Sequence, residues 1–148
     1  MIEWEEEKEL MRELVLRLEV APGPDRQIDL DIAYLRGWIP QRAIAGEPEP
    51  RMKDGSPVPC LTADEAAAEA QLRKSLPGWA IEKVTEPEID VQAWSGDWSD
   101  PDDDYFGDEM FTSAWRRRDG STRMESPPAN MAIALTLVDM RGLAETLA

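Results

Sequence analysis

Arginine and tryptophan side chains gather in one part of the sequence, where together they could bind a small anionic ligand. Residues 116–118 are three consecutive arginines, and on a β-strand Arg116 and Arg118 point to the same face. Such a guanidinium pair suits a phosphate or a carboxylate, and exposed indole rings can stack on a nucleotide-like ligand. The candidate ligand-binding residues are therefore Trp94, Trp98, Trp115, Arg116 and Arg118. The alternative, favoured by the acidic composition, is that the tryptophans pack in the core and the arginines pair with nearby carboxylates.

The segment 97–109 is rich in Asp and Glu, and clustered carboxylates are ligands that calcium prefers. One calcium-loop register places Asp102 and Asp104 correctly. That register fails at its sixth position, Tyr105, where the loop needs glycine, and at its twelfth, Phe111, where it needs a glutamate. We therefore interpret the segment as a solvated hairpin loop and predict no metal site.

The chain contains no histidine and a single cysteine, Cys60. This composition excludes histidine-based acid–base relays, nucleophiles activated by histidine, the common structural zinc sites and an intramolecular disulfide. Cys60 precedes a predicted helix, but without a histidine base we interpret it as a small buried apolar residue. Carboxylates remain available for catalysis, yet no pair can be singled out among so many. We therefore expect a protein that is not an enzyme, has no catalytic residue and uses no cofactor.

Acidic residues outnumber basic ones, 31 Asp and Glu against 16 Lys and Arg, which gives a net charge of −15. This charge repels phosphate backbones and anionic bilayers, so we expect no direct nucleic-acid binding and no membrane association. The acidic start lacks the pattern of a secretory leader, and the longest apolar stretch, residues 131–138, is too short to span a bilayer. These features predict a cytoplasmic location.

Hydrophobic periodicity and turn residues divide the chain into helices, strands and two long loops. Helices are predicted over residues 2–19, 25–36, 62–76 and from 126 onward, and strands over residues 79–85, 89–94 and 110–118. A loop rich in Pro and Gly covers residues 38–59, and an acidic loop covers residues 95–109. The length fits one α/β domain, 1–148, in which residues 1–20 hold the N-terminal helix.

Two helix starts and the position of the last helix can also be predicted. Thr62 and Glu65 have the spacing of a capping box, and Pro127 falls near the first turn of the last helix. Because that helix is apolar over most of its circumference, we expect it to lie centrally and to pack on the sheet. The predicted fold class is α+β: a small antiparallel, about three-stranded sheet covered by helices in an α/β/α-sandwich-like arrangement.

Three stretches of the chain resemble the phage ABA (alpha/beta/alpha) sandwich domain family of small phage and prophage proteins. The stretches are residues 30–38 (LDIAYLRGW), residues 58–67 together with Pro77-Gly78-Trp79, and residues 126–135 (SPPANMAIAL). They resemble, in turn, a short helix ending in Gly-Trp, an Ala-rich helix followed by a strand start, and a C-terminal helix. The resemblance covers most of residues 25–142 and implies a fold and a phage origin, but no catalytic residue. It departs at Leu61, where an aromatic residue is usual, and in the long acidic insertion.

These observations lead to one expected function and one alternative. We expect a non-enzymatic phage or prophage accessory protein of the host cytoplasm, which binds a host or phage protein or a small nucleotide-like ligand and could serve in counter-defence. The alternative is an acidic DNA-mimic protein that blocks a nucleic-acid-binding host protein, since an array of carboxylates can copy phosphates. Trp4 or Trp98, if exposed, would also favour a homo-oligomer.

Overall fold

The computed structural model describes residues 4–94, 112–114 and 127–146, which form an α+β fold. In chain order its elements are α1 (Trp4–Val20), α2 (Arg26–Leu35), α3 (Glu65–Ser75), β1 (Ala80–Val84), β2 (Asp90–Trp94), β3 (Thr112–Ser113) and α4 (Met131–Thr146). The α+β class and the placement of the four helices along the sequence are confirmed. The acidic loop 95–109 and most of the predicted third strand lie outside the described residues.

Helix α1 is amphipathic, as its sequence predicts. Its buried residues recur at helical spacing: Leu10, Met11, Leu14 and Leu18. Acidic residues occupy the first turn and Arg17 the last, an order that complements the helix dipole. The apolar stripe therefore faces the core, and the opposite face is left to solvent.

Helix α2 has the ends that were predicted for it. The carboxylate of Asp25 caps the first turn by accepting hydrogen bonds from the amides of Gln27 at 2.9 Å and Ile28 at 3.4 Å. Gly37 follows the helix with φ of +77°, a left-handed conformation that favours glycine. The Asp25 cap and the Gly37 stop are both confirmed.

The predicted start of α3 is wrong by three residues. Its N-cap is Asp64, whose carboxylate accepts from the amides of Ala66 at 3.0 Å and Ala67 at 3.3 Å. Thr62 is buried, and its hydroxyl bonds to residues of α2 and its cap instead of to the amide of Glu65. Because Asp64, two residues nearer to the apolar run, supplies the cap acceptor, the Thr62–Glu65 capping box does not form.

Strands β1 and β2 form an antiparallel pair in which Ile81 lies opposite Ala93 and Lys83 lies opposite Val91. The short β3 continues the pairing on the other edge of β2. Val91 and Ala93 are buried on the face that packs against α4, and Lys83 on the same face forms ion pairs with Glu65 and Glu69 of α3. The described helices therefore cover this face of the sheet.

Helix α4 lies at the centre of the core. Residues 131–140 are all buried, and the helix packs against α1, α3 and β2. The first turn is capped by Asn130, whose side-chain oxygen accepts from the amide of Ile133 at 2.7 Å. The helix begins five residues after the predicted start at residue 126, and Pro127 precedes its cap. The central position of the last helix is confirmed.

A second, smaller cluster fixes the ends of the Pro- and Gly-rich loop. It consists of Leu30 and Ala33 of α2, together with Ile39 and Val58 from the two ends of residues 38–59. The loop is therefore anchored on α2 by apolar contacts, even though its prolines prevent regular secondary structure. Among the described residues, no helix has the length and apolar character needed to cross a membrane.

Candidate functional site

Only one of the predicted ligand-binding residues can be placed. Trp94 is half-buried at the end of β2 and lies opposite Ala80 in the sheet. Trp98, Trp115, Arg116 and Arg118 lie outside the described residues. The proposed cluster of indole and guanidinium groups therefore stays a prediction. In the described part of the chain, no group of carboxylates and cysteine has the arrangement of a metal site.

The structure forms a different polar site, a cleft bounded by α1, α2 and the segment 42–45 after α2. The cleft has a volume of about 690 Å³. Its polar side chains are Glu13 and Arg17 from α1, Gln27 and Asp31 from α2, and Arg42, and its apolar wall is formed by Ala43, Ile44 and Ala45. We call it the α1–α2 cleft.

Asp31 organises the polar floor of the α1–α2 cleft, with only 1% of its side chain exposed. Its Oδ2 accepts a 2.7 Å hydrogen bond from Nη1 of Arg17, and its Oδ1 accepts a 2.9 Å bond from Nε2 of Gln27. Arg42 makes two longer contacts, from Nε to Oδ1 at 3.3 Å and from Nη2 to Oδ2 at 3.4 Å. The buried carboxylate is thus well satisfied, and Arg42 is its most weakly held partner.

Local sequence explains why these side chains converge. Asp31 follows Ile28 by three residues and precedes Leu35 by four, so it lies on the apolar face of α2, and Gln27 lies one turn before it. Arg17 borders the buried stripe of α1, which brings its guanidinium to the contact between the two helices. This site was not among those predicted from the sequence. The signal that could have found it is an aspartate within an apolar helix face, which requires a buried partner.

A second network joins α2 to the segment before α3. The amide and the hydroxyl of Thr62 donate to Oδ1 of Asp29 at 2.8 and 2.9 Å, and the Thr62 hydroxyl accepts from the amide of Asp25 at 2.8 Å. Burial raises the pKa of Asp29, and the hydrogen bonds from Thr62 and Arg26 oppose this effect. The network is structural, since its donors and acceptors satisfy one another.

Cys60 lies at the edge of this second network and is exposed, so its interpretation as a buried apolar residue is wrong. Its Sγ lies 3.5 Å from Nη1 of Arg26, and the same Nη1 donates to the carbonyl of Pro59. The Nε and Nη2 of Arg26 pair with Glu49. The turn that begins α3 directs the thiol outward, because neighbouring Leu61 and Thr62 take the buried positions.

A third polar contact is enclosed in the core. Asp139 of α4 is 3% exposed, and its Oδ2 accepts a 2.7 Å hydrogen bond from Nη2 of Arg36. Burial raises the pKa of Asp139, and the charge of Arg36 opposes this effect. Arg36 also places its guanidinium 5.7 Å from the ring centre of Trp38. The pair ties the end of α2 to the central helix.

The solvent side of α1 has a distinctive pattern. Leu16 and Val20 lie one turn apart and are 57% and 79% exposed. The earlier turns of the same side present the exposed carboxylates of Glu5, Glu6, Glu9 and Glu13, with the exposed Arg12 between them. The two apolar residues and the four carboxylates, which we call the outward face of α1, lie at opposite ends of this side. Trp4 is also exposed, and Lys8 covers its ring at 4.8 Å from the centroid.

Comparison with known proteins gives no relative for this chain. No protein family matches it. No curated protein and no solved structure matches it significantly.

Proposed function

We propose that the chain is a non-enzymatic phage or prophage accessory protein that acts by binding a host protein through the outward face of α1. The observation that carries the proposal is the exposed pair Leu16 and Val20 beside four exposed carboxylates on one helix. Single exposed apolar residues are common on protein surfaces. Two on adjacent turns, next to a charged array, are typical of a contact surface with an apolar centre and a charged rim.

The pattern of the outward face defines the chemistry of the partner. A matching surface has an apolar pocket for Leu16 and Val20 and basic residues placed to meet the carboxylates. Charge complementarity of this kind speeds association and selects the partner, while the apolar contact supplies much of the affinity. We therefore propose that the partner is a basic host protein. Binding of such a protein by the chain would be consistent with a role in counter-defence.

The non-enzymatic part of the proposal is supported by composition. The chain has no histidine, so an acid–base group poised near neutral pH would have to come from a shifted carboxylate, lysine, tyrosine or cysteine. Among the described carboxyl groups, those of Asp29 and Asp139 have a raised pKa, and both are buried and do not line the α1–α2 cleft. Neither residue is placed to contact a substrate.

The phage origin and the finer fold rest on the resemblance of residues 25–142 to the phage ABA sandwich family. That resemblance supports a third strand over residues 110–118, helices on both sides of the sheet and a location in the host cytoplasm. Tail, replication or anti-defence genes beside the coding sequence would support the phage origin, whereas a conserved housekeeping neighbourhood would contradict it.

The experiment compares capture of host proteins by the wild-type chain and by two variants of the outward face. The first variant combines Leu16→Ser with Val20→Ser, and the second combines Glu5→Lys with Glu9→Lys. Partners captured from host lysate are identified by mass spectrometry, purified, and titrated calorimetrically. We expect both variants to weaken binding of the purified partner by about tenfold or more, because the first removes the apolar centre of the contact and the second reverses two charges of its rim.

The matched control is Ile44→Ser, which removes an exposed apolar residue that lies outside the outward face. It should bind the partner as tightly as the wild type does. Partner affinity that is equal in the wild type and in both outward-face variants would contradict the proposal. Circular dichroism of each variant establishes that the helices are retained.

The DNA-mimic alternative is favoured by the spacing of three carboxylates. Glu5, Glu9 and Glu13 lie four residues apart on the exposed side of α1, so each step along the helix axis is about 6 Å. A regular row of negative charges can copy part of a phosphate array. In that case duplex DNA competes with the chain for the captured protein, and affinity falls steeply with added salt. Binding that DNA does not displace would favour the non-mimic proposal.

A small nucleotide-like ligand is the other form of the binding proposal, and it uses Trp94, Trp98, Trp115, Arg116 and Arg118. Tryptophan fluorescence reports on this site directly. Titration with nucleotides should change the emission of the wild-type chain and leave that of an Arg116→Gln, Arg118→Gln double variant unchanged. If no nucleotide changes the tryptophan emission, a nucleotide-like ligand at this site is excluded.

A further inference from the structure

We propose that the α1–α2 cleft is a binding site for a small organic carboxylate with an aliphatic chain. The cleft shares Glu13 with the outward face of α1, but its key residues, Arg42 and Ile44, lie outside that face, and the inference does not depend on the partner-binding function. The cleft is shallow and open to solvent, and its volume of about 690 Å³ is enough for a small molecule.

The arrangement of guanidinium groups is the first argument. In a chain of net charge −15, the cleft brings Arg17 and Arg42 onto one carboxylate, Asp31. Asp31 is already satisfied by Arg17 and Gln27 at 2.7 and 2.9 Å. Arg42 is therefore not needed to neutralise or hydrogen-bond the buried carboxylate, and it adds a second guanidinium, half-exposed, above Asp31.

The exposure of Arg42 is the second argument. Its side chain is 47% exposed, and its two contacts with Asp31 are 3.3 and 3.4 Å long, beyond the usual range for charged hydrogen bonds. No described residue accepts a hydrogen bond from its Nη1. A ligand carboxylate can take the guanidinium edge in the two-bond geometry that arginine favours, while Arg17 and Gln27 keep Asp31 satisfied.

The cleft walls define the rest of the ligand. Ile44 is 62% exposed and, with Ala43 and Ala45, gives the cleft an apolar side next to Arg42. An aliphatic chain attached to the bound carboxylate would cover Ile44 and remove apolar surface from water. The ligand is therefore an anion with an apolar tail, and not a bare inorganic ion.

Glu13 lies at the rim of the cleft and favours a ligand with one negative charge over a ligand with two. Its Oε1 lies 3.6 Å from Nη1 of Arg17, and half of its side chain is exposed. A doubly charged phosphate would be repelled by Glu13, whereas a carboxylate carries one charge and meets one weakly engaged guanidinium. The same chemistry could come from a free acid or from the C-terminus of a peptide.

Sodium hexanoate is the probe for the free acid, and the side-chain NH₂ signals of Gln27 in ¹H–¹⁵N NMR report on the cleft. We expect hexanoate to shift these signals saturably and hexanol, which lacks the carboxylate, to leave them in place. Arg42→Gln should weaken hexanoate binding by about tenfold or more, and Arg42→Lys should also weaken it, because lysine lacks the planar fork. Arg12→Gln, an exposed arginine of α1 outside the cleft, is the matched control and should bind as the wild type does.

Two further variants test the selectivity argument. Glu13→Gln should tighten hexanoate binding by about twofold to threefold, because it removes a competing carboxylate. Ile44→Ser should weaken binding of hexanoate more than that of acetate. A short peptide with a free C-terminal leucine, compared with its amidated form, tests the peptide source. Equal responses to hexanoate and hexanol, or unchanged hexanoate affinity in Arg42→Gln, would overturn the proposal.

Discussion

Thr62 holds two parts of the chain together through one side chain. Its hydroxyl and amide both donate to the buried carboxylate of Asp29, and the hydroxyl accepts from the amide of Asp25. The residue is fully buried, so no water can replace these partners. Thr62 therefore links the start of α2 to the segment before α3. The sequence pattern had instead predicted that Thr62 caps α3.

Replacing Thr62 by valine tests this role. Thr62→Val keeps the shape but removes the hydroxyl, which leaves the Asp25 amide without its acceptor and the Asp29 carboxylate with fewer donors. We expect the free energy of unfolding in urea to fall by about 1–3 kcal/mol. Thr85→Val, at an exposed position, should change it by less than about 0.5 kcal/mol. Equal effects of the two substitutions would show that the network does not stabilise the fold.

At the scale of elements, α4 depends on a cap that is also a tertiary contact. The side-chain oxygen of Asn130 accepts from the amide of Ile133, and its Nδ2 donates to the carbonyl of Thr62 at 3.1 Å. Thr136, six residues later, donates to the carbonyl of Leu61 at 2.8 Å. The first turns of the central helix are thus fixed against the segment before α3.

Asn130→Ala removes both hydrogen bonds of this cap. We expect it to lower the free energy of unfolding by about 1–2 kcal/mol, at the upper end of the usual range for an N-cap. Asp64→Ala removes the cap of α3, which is exposed and has no second contact in the described structure, and should cost about 1 kcal/mol or less. Urea unfolding of the two variants makes the comparison. A larger loss in Asp64→Ala would mean that α4 is held by its apolar packing alone.

At the scale of the whole molecule, stability depends on pH through carboxylates buried in the core. Burial raises the pKa of Asp139 in the folded chain above the ordinary value of 3.8. The folded state therefore binds this proton more tightly than the unfolded state does. Protonation of Asp139 therefore adds to the free energy of unfolding. This contribution is fully present below pH 3.8, the ordinary pKa, and is lost as the pH rises through the raised pKa of the folded chain.

The variant Asp139→Asn isolates this contribution, because its side chain does not titrate. Urea unfolding between about pH 4 and pH 7 gives the difference in unfolding free energy between wild type and variant. We expect the unfolding free energy of the wild type to rise relative to that of Asp139→Asn as the pH falls. Glu88→Gln, at an exposed position between β1 and β2, is the control and should follow the wild-type profile. A constant difference between wild type and Asp139→Asn would show that the pKa of Asp139 is not raised.

The sequence by itself determined the helices and strands that are visible in the structure, because their signals are local. The periodic apolar residues of α1, the cap at Asp25, the stop at Gly37 and the apolar circumference of α4 each act within a few residues of the chain. The absence of histidine likewise restricts the chemistry whatever the fold.

Only the tertiary structure decided where the polar side chains find their partners. Asp31 meets Arg17 across 14 residues, and Asp139 meets Arg36 across 103. Such pairs form because a buried carboxylate must be neutralised by whichever donor the packing of helices brings near, and sequence spacing does not encode that choice. The α1–α2 cleft is a product of helix packing for the same reason.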